Sequence, residues 1–127
     1  MNTYEIEFKK SIWLTEEEIT DIIITALEGG IGYWACLDNT GDEFKNAPKD
    51  EAVSETAARI ILNNGTLVFE DADEYDSQAR YELTLEKLLN GIEKYANENG
   101  GFDIDILDAE VADCIVQYAI FCEIVYG

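Results

Sequence analysis

The sequence predicts an α+β fold in one domain: a small antiparallel or mixed sheet carrying about four helices. Apolar residues recur at helical spacing in some segments, and alternate or run unbroken over a strand's length in others. Glycine and asparagine clusters punctuate the change from one kind to the other. A chain of 127 residues with 47% apolar side chains suffices for one core and one domain, 1–127.

Residues 4–9 alternate, with Tyr4, Ile6 and Phe8 on one face and Glu5, Glu7 and Lys9 on the other, as in a half-buried strand. Thr15 and Glu18 form a capping box, and the acids at 16–18 suit a helix N-terminus. Ile19, Ile22, Ile23, Ala26 and Leu27 then make one apolar stripe, and Gly29 and Gly30 stop the helix. Residues 31–37 read as a buried strand, and the polar stretch 38–50, with Gly41 and Pro48, as a loop. A second helix starts at Ser54 and ends at Asn63-Asn64-Gly65. Residues 66–70 and 80–83 read as strands pairing across an acidic turn at 70–76. Thr84 caps a third helix that turns Leu85, Leu88, Leu89, Ile92 and Tyr95 inward. Asp108 caps a fourth, through Ala112, Ile115, Val116, Ala119 and Ile120. The order is βαβαββαα, with no repeat and no linker.

Eight Lys and Arg stand against 28 Asp and Glu, a formal charge of −20 with no histidine. Such a chain repels nucleic acid and anionic membrane and attracts basic surfaces; solubility alone also accounts for the charge. Cys36, Cys114 and Cys122 are odd in number and lie among apolar residues, so they read as buried thiols of a reducing compartment. Cys114 and Cys122, about 12 Å apart along one helix, are too distant to bridge. No apolar run reaches membrane-spanning length, and the N-terminal residues lack the pattern of an export signal, so a cytoplasmic location is expected.

No reaction is signalled. Without histidine, the commonest general base and metal ligand are missing, and Ser-His and Cys-His pairs are excluded. No C-x-x-C, P-loop or G-x-G-x-x-G occurs. The acids at 103–110 fail as a calcium loop. Placing Gly101 or Gly100 sixth leaves Leu107 or Ile106 where glutamate is needed. There, Ile104 and Ile106 are expected to face the core and Asp103 and Asp105 solvent. No metal and no cofactor are expected, and the chain is read as a binder rather than an enzyme.

Two segments suit a ligand. Gly29, Gly30 and Gly32 beside Tyr33 and Trp34 offer backbone N–H groups and stacking faces, or else form a helix stop and a core strand. Gln117, Tyr118, Phe121 and Tyr126 form the second; Gln117 is either a buried hydrogen-bonder or on the exposed side.

The run Ala26-Leu27-Glu28-Gly29-Gly30-Ile31-Gly32-Tyr33-Trp34 resembles a signature of a family of small bacteriophage and prophage proteins. Further landmarks follow in order: Asn64-Gly65-Thr66-Leu67, residues 82–92, Asp108-Ala109-Glu110-Val111-Ala112-Asp113, and residues 115–127. The resemblance covers residues 15–127. Cys122 departs from it where glycine is usual, and Phe69-Glu70 departs where His-Asp is common.

The resemblance implies a phage origin and supplies no reaction. The expected function is therefore stoichiometric inhibition of bacterial antiviral defence inside the infected cell. In one mode, anti-CRISPR-like, an acidic surface centred on Glu70, Asp71, Asp73, Glu74 and Asp76 imitates nucleic acid on a basic nuclease or effector. In another, an oligomer sequesters a cyclic-nucleotide or ADP-ribose-type signal, using Gly29, Gly30, Tyr33, Trp34, Gln117, Tyr118, Phe121 and Tyr126, with Arg59, Arg80, Lys87 and Lys94 as cations. A regulatory or structural accessory role is the third. Apolar residues running to Gly127 suggest a homodimer, and neither nucleic acid nor membrane is an expected partner.

Overall fold

The computed structural model describes residues 1–72 and 79–127. In chain order it contains α1 (Glu16–Thr25) running into a π turn (Ala26–Gly30), β1 (Ala35–Leu37), α2 (Asp42–Lys45) and α3 (Val53–Leu62). Next come β2 (Leu67–Asp71), β3 (Arg80–Leu83), α4 (Leu85–Asn99), a 3-10 turn (Ile104–Ile106) and α5 (Ala109–Phe121). The α+β expectation holds: the described residues form five α-helices and one antiparallel sheet of order β1-β2-β3.

The helix starts follow from their caps. Thr15 Oγ1 accepts from Glu18 N at 3.1 Å while Glu18 Oε1 accepts from Thr15 N at 3.0 Å. Thr84 and Asp108 accept from Lys87 N and Val111 N in the same way. The helix stripes bury Ile22, Ile23, Ile61, Leu88, Ile115 and Val116 against Leu67, Phe69 and Leu83 of the sheet's inner face. Cys36, Glu70, Arg80 and Glu82 take the other face, as the strand alternation requires.

Two glycines set the helix packing. A Cβ on Gly91 would stand 2.5 Å from Ile115 O and 2.8 Å from Ala119 N, so the close crossing of α4 and α5 needs glycine there. A Cβ on Gly30 would meet Ala109 O at 2.9 Å. Gly30 therefore serves the approach of α5 as much as the end of α1, which finishes in a π turn closed by Ile31 N to Ala26 O.

Several expectations are corrected. Residues 4–9 form no strand: Tyr4, Ile6 and Phe8 are exposed, because alternation supplies a face but not a neighbouring strand to pair with. The strand expected over 31–37 shrinks to β1, since Trp34 N and Ala35 N both close back on Ile31 O in a turn. The 38–50 loop contains the short α2, where Gly41 O accepts from Phe44 N and Lys45 N. Cys36 and Cys122 are exposed and Cys114 is half-buried. Cys36 alternates to the outer face, and Cys122 has left the helix in a left-handed conformation. Leu89 and Ile106, both expected to face inward, are exposed as well, Leu89 on the outer edge of the α4 stripe and Ile106 in a 3-10 turn.

Candidate functional site

The glycine-aromatic segment and the C-terminal segment meet in one place. Asp113, buried on α5, accepts from Trp34 Nε1 at 2.8 Å and Gln117 Nε2 at 2.9 Å through Oδ1, and from the Tyr33 hydroxyl at 2.6 Å through Oδ2. Gln117 is the buried hydrogen-bonder of its two alternatives. Its Oε1 accepts from the N–H groups of Val125 and Tyr126 at 2.8 Å each, and its Nε2 also donates to Tyr126 O at 3.2 Å. The Tyr126 ring, drawn in by that clamp, stacks on Trp34 with centroids 5.1 Å apart and planes 8° apart. Phe121 tilts against Trp34, and Tyr81 meets Phe121 edge-on.

This cluster fastens residues 124–126 to α5 and to the turn before β1. Trp34 is 1% exposed, so its stacking face is already occupied by Tyr126. Tyr33 is half-exposed; desolvation first, and the Asp113 carboxylate second, push its phenol up to about 12. Every buried side-chain polar atom described here has a partner.

The remaining predicted ligand residues are dispersed. Gly29 is exposed and Gly30 is buried beside Ala109, while Tyr118 is half-buried on α5. Arg59 donates to Glu51 at 2.7 Å, which with Thr56 lowers the Glu51 carboxyl. Arg80 spans the sheet's outer face, pairing with Glu70 at 2.6 Å and Asp38 at 2.7 Å. Thr40 first, then Arg80, hold Asp38 down to about 2. Lys87 donates to Glu82 O, and Lys94 pairs with Glu98. The four cations considered for an anionic ligand are thus each engaged by an oxygen of the chain itself.

Of the predicted acidic cluster, Glu70 is exposed and paired with Arg80, and Asp71 is half-buried next to it. Asp73, Glu74 and Asp76 lie outside the described residues. The structure assembles a second acidic region that the sequence reading missed. Glu16 of α1 and Glu51 and Glu55 before and on α3 line one groove with Thr20, Arg59 and Asn63, a space of about 430 Å³. The only sequence signal was that Glu16 opens one helix and Glu55 another; nothing local says that α1 and α3 pack side by side. Asp113 was likewise missed, because a lone acid in an apolar helix gives no indication of which donors surround it.

A separate cleft of about 280 Å³ opens beside β1, lined by Leu27, Ile31, Ala35, Leu37, Val53 and Phe69. Glu28 also lines it and accepts from Ser54 Oγ at 2.8 Å. Among the described residues no group of acids and thiols is placed to hold a metal ion, and no helix is long and apolar enough to cross a membrane. Compared with known protein families, curated proteins and solved structures, the chain matches none.

Proposed function

We propose that this chain is a phage-encoded, non-enzymatic inhibitor of bacterial antiviral defence. It acts in the infected cell by stoichiometric binding, offering an acidic, nucleic-acid-like surface to the basic groove of a defence nuclease or effector. The disposition of charge carries this reading. The chain has a net charge of −20, and Arg59, Arg80, Lys87 and Lys94 are all satisfied internally. The surface therefore favours a cationic partner over an anionic one. Sequestration of a nucleotide signal is less well supported: the Trp34 face is filled by Tyr126, and the apolar cleft has a carboxylate, Glu28, at its wall.

Two charge-neutralised variants test the proposal. One changes Asp73, Glu74 and Asp76 to their amides and leaves the Glu70–Arg80 pair intact. The other changes Glu16 and Glu55 to glutamine. Glu16 and Glu55 are exposed, and surface substitutions of this kind shift stability by about 0.5 kcal/mol or less; circular dichroism checks that both variants fold. The parent is expected to protect phage against a nuclease-based defence. One of the variants is expected to lose about tenfold in target affinity, and its binding to weaken less with salt, since screening acts over about 8 Å at physiological ionic strength. If the parent protects against no defence system, the proposal fails and the accessory role replaces it. If both folded variants match the parent in affinity and salt dependence, the acidic surface is not the site.

A further inference from the structure

The N-terminal arm is the largest feature that the proposed function leaves unused. Tyr4, Ile6, Phe8 and Trp13 are 85%, 83%, 72% and 91% exposed, and Ile12 is 43% exposed. Of the arm's apolar residues, half-buried Leu14 packs against the core. Among the described residues no hydrogen bond is seen between residues 1–13 and the rest of the chain; within the arm Lys10 lies over the Phe8 ring. Yet residues 4–9 keep the strict alternation of a strand. A segment patterned as a strand, with aromatic side chains in water and an unpaired backbone, is one that pairs elsewhere.

The sheet offers two edges, and they differ. On the β3 edge, Arg80 and Glu82 are exposed and the Glu82 carbonyl is taken by Lys87 Nζ, so charges guard it. On the β1 edge, Trp34 O accepts from Ala72 N just past β2 and Asp38 N donates to Val68 O, so the alternating backbone groups of Leu37 turn outward. Beside that edge lies the apolar cleft of about 280 Å³ formed by Leu27, Ile31, Ala35, Leu37, Val53 and Phe69. A strand added to β1 would lay Tyr4, Ile6 and Phe8 on the sheet's inner side, over this cleft. Glu5, Glu7 and Lys9 would fall on the outer side, with Cys36.

Charge agrees. Two lysines and two glutamates leave residues 1–14 neutral, so the whole −20 sits on residues 15–127. In that pose Lys10 would share the inner side with Phe8 and face a cleft with Glu28 at its wall. The arm can thus lie on another copy's body without adding net like charge. The single chain leaves its own arm undocked, which favours a second copy as the occupant. Exchange of two arms, with aromatic side chains of roughly 150–250 Å² each, buries area on the scale of a stable interface.

We infer that the N-terminal arm of one copy adds as a strand to the β1 edge of a second copy and fills the cleft there, making an arm-exchanged dimer. The C-terminal segment does not serve this purpose, since Tyr126 packs on its own chain's Trp34.

Light scattering of the parent at micromolar concentration is expected to give twice the 14.3 kDa chain mass. Ile6→Glu with Phe8→Glu, in an arm outside the folded body, should give a monomer with unchanged circular dichroism. Val53→Glu, a cleft substitution at the exposed first position of α3, should weaken the dimer as well. Glu5→Cys, Glu7→Cys and Lys9→Cys are then oxidised in turn. At least one should give a disulfide-linked dimer that disappears when Cys36→Ser is added. A dimer that survives Ile6→Glu/Phe8→Glu, or cross-linking indifferent to Cys36→Ser, overturns the inference. So does a monomeric parent, and if its arm amides are also protected from hydrogen exchange, the arm docks on its own body.

Discussion

Replacing Gln117 by leucine keeps the volume of the side chain and removes only its polar atoms, so the loss measures the C-terminal clamp. The groups that lose a partner are the N–H groups of Val125 and Tyr126, each at 2.8 Å, and the Asp113 carboxylate, at 2.9 Å, with longer contacts to the Tyr126 carbonyl at 3.2 Å and the Tyr33 hydroxyl at 3.4 Å. Val125 is half-exposed, so water replaces its bond, and each of the two N–H groups contributes about 0.5–1 kcal/mol. The bond to Asp113 is charge-assisted and buried and adds about 1.5–2 kcal/mol. The expected destabilisation is therefore about 3 kcal/mol, read as a lower denaturation midpoint at unchanged slope. Carboxypeptidase should also trim residues 123–127 faster, since the Tyr126 ring no longer stays on Trp34. A variant within about 0.5 kcal/mol of the parent, with an equally resistant tail, would show that stacking alone holds the C-terminus.

Two further outcomes follow from local geometry. Cys122 ends α5 with φ 62°, a conformation glycine adopts without strain. Cys122→Gly should stabilise the fold by about 0.5 kcal/mol, the relief of left-handed strain less the added chain entropy, as thermal or denaturant unfolding will show. Tyr33, raised to about 12, should be among the last of the seven tyrosines to ionise in a spectrophotometric titration, and Asp113→Asn should bring it down. Because its folded value lies above the unfolded one, its contribution to stability is complete below pH 10 and lost as pH rises toward 12.

What the sequence made legible is what local rules decide. Thr15, Thr84 and Asp108 each cap the helix their spacing announced, and the stripes at 19–26 and 112–119 point inward. What escaped depends on partners distant in the chain. The alternation of residues 4–9 is genuine, but alternation cannot say whether a second strand lies alongside. Gly30 reads as a helix stop, and only the passage of Ala109 shows the second reason for it. The site suffered most. Tyr33, Trp34, Gln117, Phe121 and Tyr126 do converge, yet what gathers them is Asp113, some 79 residues from Trp34, and it turns their polar atoms and ring faces onto one another. Exposed aromatics and buried ones look alike in a one-dimensional string.

The clamp at Gln117 has a kinetic side. It joins residues only 8 and 9 apart, whereas the Trp34–Asp113 bond spans 79. Closing the longer loop costs about 2 kcal/mol more in chain entropy. Helix α5 and its returning tail can therefore assemble as a hairpin-sized unit while the N-terminal half is still unstructured, with the Tyr126 ring already held on one side of the Trp34 seat. The indole then arrives at a half-built receptor, and the step that unites the two ends of the chain becomes a docking of one side chain rather than a search by several.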